Sequence, residues 1–148
     1  MSINVVEIHH PALRINGDAA DLAANLDFYQ GLLGLIPDAG RPDLRGVPGF
    51  WLNVGETGQL HLIGGSVPSP FAQGPGQDPV VPHVALAVSD IMEAKAELDR
   101  RGAKYWSLSG AVGPQSTQLF LNDPNGNMIE LHQADHCRCR SANRRYNY

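Results

Sequence analysis

The sequence has only two cysteines, no long apolar run and no excess of basic residues, and each shortage excludes a class of protein. Cys137 and Cys139 are too close in the chain for an ordinary structural disulfide, so a disulfide-stabilised scaffold is excluded. No apolar stretch approaches the length of a membrane span. Lysine and arginine number 11 against 15 acidic residues, a net charge of −4, which argues against nucleic acid as the main partner.

The N-terminus and the charge distribution add two further expectations. Residues 1–4 lack the basic and apolar stretches of a signal peptide, so a soluble, cytoplasmic protein is the default expectation. Residues 135–148 form a basic tail of net charge +3, which leaves −7 for the rest of the chain. The tail holds one acid, Asp135, and four arginines: Arg138, Arg140, Arg144 and Arg145.

The chain is organised as a repeat. At 148 residues and 43% apolar content it is one globular unit, long enough to bury a core. Residues 3–64 form a first module, residues 65–82 a linker rich in proline and glycine, and residues 83–134 a second module. Each module reads as β-α-β-β(-β), with the third strand of the first module lying within residues 36–47.

The repeat places metal-binding side chains at matching positions. The pattern H-x-A-L-x-[I/V] begins at His10 and again at His83. Later, a Leu-Asn pair leads through a glycine-bearing turn to His61 in the first module and to Glu130 in the second. Three imidazoles and one carboxylate at equivalent positions predict a site for one divalent metal, with zinc, nickel, cobalt, iron and manganese all suited.

Strand alternation supports this ligand set. In each of the four strands the candidate ligand shares a face with small or polar residues, and bulky aliphatic residues occupy the other face. We expect helices to cover the aliphatic face and the ligand face to line a cavity. The first helix is predicted to begin at Asp18 and end at Gly34, and the second to begin at Asp90 and end at Gly102.

Two further residues are predicted to face the same cavity. Arg14 shares a strand face with His10, and its guanidinium suits a substrate carboxylate or phosphate. A salt bridge from Arg14 to one of three acids is the alternative, namely Glu7, Asp18 or Glu56. His132 shares the face of Glu130 and could contact substrate, shuttle a proton or lie idle at the rim.

Other metal-binding side chains are predicted to have no part in the site. His9 falls on the aliphatic face of its strand and is interpreted as a structural residue. His136, Cys137 and Cys139 could bind a metal by themselves, but residues close to a chain end are usually mobile. We therefore expect a disordered or loosely docked tail.

Four segments together resemble the vicinal oxygen chelate superfamily, which includes glyoxalase I, fosfomycin-resistance proteins, extradiol dioxygenases and bleomycin-binding proteins. The segments are His10-Pro-Ala-Leu-Arg-Ile, Leu26-Asp-Phe-Tyr-Gln-Gly-Leu-Leu-Gly-Leu35, His83-Val-Ala-Leu-Ala-Val and Leu121-Asn-Asp-Pro-Asn-Gly-Asn-Met-Ile-Glu130-Leu. The resemblance implies an α+β fold of two tandem βαβββ modules, whose curled sheet encloses a cavity and carries helices on its outer face. It also implies one divalent metal in that cavity and a homodimer.

The metal positions of the superfamily fall on His10, His61, His83 and Glu130. The resemblance therefore implies a metal-dependent enzyme that moves a proton on a small oxygen-rich substrate, as a lyase or isomerase, with Glu130 as the catalytic base. A fosfomycin-type thiol transferase, an extradiol dioxygenase and a non-catalytic binding protein are the alternatives. Glyoxalase I usually has a glutamate at the place of His61, so the sequence names neither the substrate nor the thiol.

Overall fold

The computed structural model describes residues 2–144, so Arg145 of the basic tail lies outside the described part. The first half contains β1 (Val5–Arg14), α1 (Ala19–Leu26), β2 (Ile36–Pro37), β3 (Gly49–Val54) and β4 (Gly58–Ile63). The second half contains β5 (His83–Val88), α2 (Ile91–Arg101), β6 (Trp106–Ser109), β7 (Thr117–Asn122) and β8 (Met128–Gln133). A π-helical segment, Asp27–Leu32, continues α1, and a short 3-10 helix, Ser141–Asn143, lies in the tail.

All eight strands belong to one curled, open sheet with the order β2-β3-β4-β1-β5-β8-β7-β6. Within each half the first strand pairs in parallel with the last, β1 with β4 and β5 with β8. The two halves join where β1 pairs antiparallel with β5. The α+β class and the two tandem βαβββ modules predicted from the sequence are confirmed.

The third strand of the first half is β2, which has only two residues within the predicted range 36–47. In the second half, strand pairing resumes after α2 only at Trp106, which pairs with Phe120. Pairing begins there because Gly102 ends α2 with φ 63° and Ala103 donates its N–H back to the Leu98 carbonyl.

Both helices begin at the predicted caps. The Asp18 carboxylate accepts a hydrogen bond from the N–H of Asp21, and the Asp90 carboxylate accepts from the N–H groups of Met92 and Glu93. Within residues 2–144 no helix has both the length and the apolar character needed to cross a membrane.

The two helices contribute unequally to the core. α2 packs on β7 and β8 and buries an apolar stripe against the sheet. The stripe and its sheet partners are Ile91, Ala94, Leu98, Val88, Leu119 and Leu131. In contrast, α1 buries none of its residues, and Ile8 on the outer face of β1 is 65% exposed. The first half of the sheet therefore presents an uncovered apolar outer face.

Candidate metal centre

The four central strands bring the predicted ligands together. Their register forms two neighbouring rows across the sheet, His61–Ala12–His83 and His10–Ala85–Glu130. In each row an alanine separates the two ligands, and both alanines are almost fully buried. Because an alanine side chain is only a methyl group, the longer ligand side chains on either side can converge above it.

Glu130 is the centre of this cluster. Its carboxylate is buried, and its Oε2 atom lies 3.0 Å from Nε2 of His83 and 3.5 Å from Nε2 of His10. The other oxygen, Oε1, accepts a hydrogen bond of 2.8 Å from the side chain of Gln118. Ligand atoms of His10, His83 and Glu130 all lie within 4.8 Å of one another, so one ion could contact all three.

The hydrogen bonding of His83 fits a bound cation. Its Nδ1 lies 2.7 Å from the Val81 carbonyl oxygen and donates to it, and its Nε2 lies 3.0 Å from Oε2 of Glu130. Nε2 is buried and makes no hydrogen bond of normal geometry. An imidazole whose Nδ1 is held by a backbone carbonyl is a typical metal ligand, because its Nε2 is then fixed in direction.

The pKa shifts follow from this arrangement. Burial lowers the pKa of His83, but the adjacent Glu130 carboxylate outweighs burial and leaves it raised. Burial raises the pKa of Glu130, but its close contacts with the His10 and His83 rings hold it well below the usual range. Burial lowers the pKa of His10 to about 4, and the pKa of His61 also falls well below its usual value. The imidazoles of His10 and His61 are therefore neutral near neutral pH, and the Glu130 carboxylate is ionised, so all three are available as ligands.

His61 lies beside this trio rather than within it. Its ring stacks between Trp51, at 4.5 Å, and His10, at 3.6 Å, and its Nε2 lies 3.0 Å from Oε1 of Gln59. Its ligand atom clusters with those of His10 and Cys139 instead of His83 and Glu130. The structure thus gathers three of the four predicted ligands and holds the fourth against one of them.

The described part of the basic tail is packed against the body, which differs from the disordered or loosely docked tail expected from the sequence. Arg138 is 6% exposed and donates two hydrogen bonds to Asp38, Nε to Oδ2 at 2.8 Å and Nη2 to Oδ1 at 2.7 Å. A Cβ added at Gly40 would lie 2.0 Å from the Arg138 guanidinium carbon, so glycine leaves room for this pair. Cys137 and Cys139 are buried beside it and line the cavity.

A contact chain connects this anchor to the candidate ligands. Asp38 Oδ2 also accepts a hydrogen bond of 3.1 Å from Nε2 of Gln59, and Oε1 of the same amide faces His61. Burial raises the pKa of Asp38, but Arg138, the Gly40 N–H and Gln59 together leave it lowered. The tail is therefore coupled to the orientation of His61.

His9 also lies in the cavity, although strand alternation assigned it to the aliphatic face. The pairing of β1 with β5 shifts register between Ile8 and His10, a β-bulge that inserts His9 as an extra residue. Consequently His9 and His10 are both buried on the cavity side, at 2% and 6% exposure. The His9 ring lies 4.9 Å from that of His132, which is buried and lines the cavity as predicted.

Arg14 is not brought to the cavity. Its guanidinium donates hydrogen bonds to the backbone carbonyls of Gly64, at 3.3 Å, and Gly65, at 2.5 Å. Neither the anion clamp nor the salt bridge considered from the sequence describes this arrangement. The arginine instead holds the start of the linker against the end of β1.

The cavity beside these residues has a volume of about 80 Å³. Its walls combine the histidines and Glu130 with apolar side chains such as Val47, Val80 and Leu108. His136, Cys137 and Cys139 of the tail also line it, so the tail limits its size. A space of this volume suits a ligand of a few heavy atoms, since pockets for drug-sized ligands measure roughly 300–1,000 Å³.

Several residues of the site were missed from the sequence. Gln118 had a usable signal, because it is a polar residue in a strand. It lies two positions from Phe120, which pairs with Glu130, and therefore on the same face of the sheet as Glu130. His9 had none, since a single-residue bulge does not change the local composition. Asp38 and Arg138 had none either, because their partnership spans 100 residues of sequence.

Comparisons with known proteins agree with this fold. The family model described as the Glyoxalase/Bleomycin resistance protein/Dioxygenase superfamily matches residues 8–131. The protein named Glyoxylase I 4 from Arabidopsis thaliana is 30% identical over 112 residues, which are 75% of this chain and 63% of that protein. The chain therefore spans less than two thirds of this relative.

Two solved structures extend the comparison. Methylmalonyl-CoA epimerase from Mycobacterium tuberculosis superposes with a TM-score of 0.65 and 23% identity, over 90% of each chain. The hypothetical protein BH1468 from Bacillus halodurans C-125 gives a TM-score of 0.61 and 26% identity, over 86% of this chain and 93% of its own. At 23% identity, the likeness to the epimerase shows a shared fold only.

The Arg138–Asp38 pair is predicted to anchor the tail. Arg138→Met leaves a buried carboxylate unpaired and is expected to cost about 3–5 kcal/mol of unfolding free energy, measured by urea denaturation at neutral pH. Arg140→Met, which removes the exposed pair with Glu7, is the matched control and should change stability little. Because the folded pKa of Asp38 is depressed, the contribution is present above its ordinary value of 3.8 and declines as pH falls below it. Equal effects of the two substitutions would contradict the anchor.

Proposed function

The chain belongs to the Glyoxalase/Bleomycin resistance protein/Dioxygenase superfamily, and from this we propose that it is a divalent-metal-dependent enzyme. It would transfer a proton, as a lyase or isomerase, on a small oxygen-rich substrate. His10, His61, His83 and Glu130 would hold the ion, which is zinc, nickel, cobalt, iron or manganese. The observation that carries the proposal is the buried cluster in which the Nε2 atoms of His10 and His83 converge on the Glu130 carboxylate.

Each side chain has a role in this proposal. The ion, when bound, supplies a positive charge that polarises a substrate oxygen. Glu130, the carboxylate among the ligands, would leave the ion to act as the base that accepts the substrate proton. Gln118 holds Oε1 of that carboxylate, which directs Oε2 toward His10 and His83. His132, at the same wall of the cavity, is positioned to contact substrate.

The size of the cavity favours a small substrate. A volume of about 80 Å³ is far below the roughly 300–1,000 Å³ of pockets that enclose drug-sized ligands. Glu130 is the one carboxylate among the described residues that line this cavity. It is therefore the carboxylate proposed as the base.

An extradiol-type dioxygenase is the second candidate, and a specific observation favours it. The three ligands that the structure gathers, His10, His83 and Glu130, are two histidines and one carboxylate, the set that binds non-haem iron with open positions. In this alternative His61 would not be a ligand, consistent with its stacking outside the trio.

The homodimer implied by the resemblance is also part of the proposal. The outer face of β1 and neighbouring β5 exposes Ile8 at 65%, Leu13 at 44% and Val84 at 38%. α1 buries no residue and leaves this face open. A contiguous apolar surface on a folded chain is typical of a protein–protein contact, and a second copy of the chain is the proposed partner.

Metal binding at the proposed site is tested with Mn²⁺, which prefers nitrogen and oxygen ligands to thiolates. The wild-type protein is expected to bind about one ion per chain, and Glu130→Gln at least about 10-fold more weakly, since loss of a supporting group alone costs about that much. Glu93→Gln makes the same replacement at an exposed residue of α2, outside the cavity lining, and should leave binding unchanged. The proposal would be refuted if elemental analysis and calorimetry showed that the wild-type protein takes up no Mn²⁺, Zn²⁺ or Ni²⁺.

The reaction is tested on protein whose metal content has been verified. We expect isomerisation or cleavage of a small 2-oxoaldehyde hemithioacetal, accompanied by solvent exchange of the substrate proton. The reaction should stop on chelation, and it should fall about 10²–10⁴-fold in Glu130→Gln saturated with ion. Oxygen consumption with an iron-loaded protein and a catechol, without proton exchange on the hemithioacetal, would instead support the dioxygenase.

Dimer formation is tested on the exposed face of β1. Ile8→Glu introduces a charge into the proposed interface and is expected to shift the protein from dimer to monomer in sedimentation velocity. Met92→Glu is the matched control, because Met92 is 61% exposed on α2, away from this face. A wild-type protein that sediments as a monomer at high concentration would refute the proposed interface.

A further inference from the structure

We propose that His9, Cys137 and Cys139 form a second metal site, which takes a soft, thiophilic cation such as Cu⁺, Zn²⁺ or Cd²⁺. One ligand atom from each residue lies within 4.8 Å of the others, and all three residues are buried. None of them belongs to the ligand set proposed for the first ion. The site therefore goes beyond the proposed function and does not require it.

The state of His9 is an independent observation that points to a ligand. The imidazole is only 2% exposed, and neither ring nitrogen makes a hydrogen bond of normal geometry, although the ring lies beside the Cys137 sulfur. A buried polar group without a hydrogen bond destabilises the folded protein, because it has lost its contacts with water. Coordination of a cation by one ring nitrogen removes this cost.

The fold builds the site from both ends of the chain. The bulge in β1 turns His9 into the cavity, where alternation would have turned it outward. At the other end, the Arg138–Asp38 pair fixes the residue between the two cysteines. Both thiols, 5% and 2% exposed, are thereby held beside His9.

The donor set selects the class of ion. Two thiolates and one imidazole are soft or borderline ligands, which favour Cu⁺, Zn²⁺ and Cd²⁺ over Mg²⁺, Ca²⁺ or Mn²⁺. Three protein ligands satisfy a three-coordinate soft ion or leave one position of a tetrahedral ion open. The cysteines are free thiols, so no disulfide competes with the ion.

One alternative arrangement involves the same sulfur. Cys139 Sγ lies 3.4 Å from Nδ1 of His10, and it also clusters with His10 and His61. In that arrangement Cys139 would be a ligand of the first ion, and His9 and Cys137 would bind nothing. The two arrangements differ in whether one sulfur or two contact the metal.

The experiment uses the full-length, reduced protein and titrates it with Cd²⁺ and with Co²⁺. The chain contains only two cysteines, so any thiolate-to-metal absorption band comes from Cys137, Cys139 or both. We expect about one Cd²⁺ per chain with such a band, even when Mn²⁺ is present in excess. Cadmium NMR of the wild-type protein should indicate two sulfur ligands.

Variants separate the second site from the first. Cys137→Ser and Cys139→Ser should each abolish the band, and His9→Gln should weaken Cd²⁺ binding by at least about 10-fold. Glu130→Gln, which acts on the first site, should leave the band and the Cd²⁺ affinity unchanged. Because His9 is buried, metal-free thermal unfolding checks that His9→Gln is folded; if it is not, Cys137→Ser and the cadmium NMR decide.

Two results would overturn the proposal. The first is the absence of any thiolate–metal band in reduced wild-type protein. The second is a band that survives Cys137→Ser but disappears in Cys139→Ser and in Glu130→Gln, which would assign Cys139 to the first ion. Absence of Mn²⁺, Zn²⁺ and Ni²⁺ binding in Cys137→Ser, which lacks the second site, would refute the first site without affecting this test, so the two proposals fail separately.

Discussion

The antiparallel pairing of β1 with β5 is the interaction on which the rest of the structure depends. Each half of the chain supplies two of the four predicted ligands, and neither half alone holds the cluster. The register of this single strand pair sets Ala12 opposite His83 and His10 opposite Ala85, which places the two rows of ligands side by side. A shift of one residue would turn one histidine to the opposite face of the sheet.

Burial of a charge determines how the site is arranged. A fully buried carboxylate is strongly unfavourable without partners, and Glu130 has Gln118 on one oxygen and two imidazoles on the other. A second buried charge, Asp38, is neutralised by Arg138 and linked through Gln59 toward His61. The same requirement for compensation therefore stabilises the tail against the body and orients the candidate ligands.

Much of the fold and the site could be predicted because the relevant signals are local or repeated. Alternation along β5 and β8 has a period of two, which any residue in a strand must follow, and it placed His83 and Glu130 on the cavity side correctly. Arg14 obeyed the same alternation, yet it lies outside the cavity, because backbone carbonyls of the linker satisfy its guanidinium. The partner of a long side chain depends on what the folded chain brings near it.

The sequence by itself determined the eight-stranded two-module fold and the repeat-related positions of His10, His83 and Glu130, because hydrophobic periodicity and internal repetition are properties of short segments. Only the tertiary structure decided the side on which His9 lies and the docking of Cys139 against the cavity. A bulge is a mismatch between two strands, and the Arg138–Asp38 pair joins residues 100 positions apart. Neither exists until distant segments meet, so no local pattern encodes them.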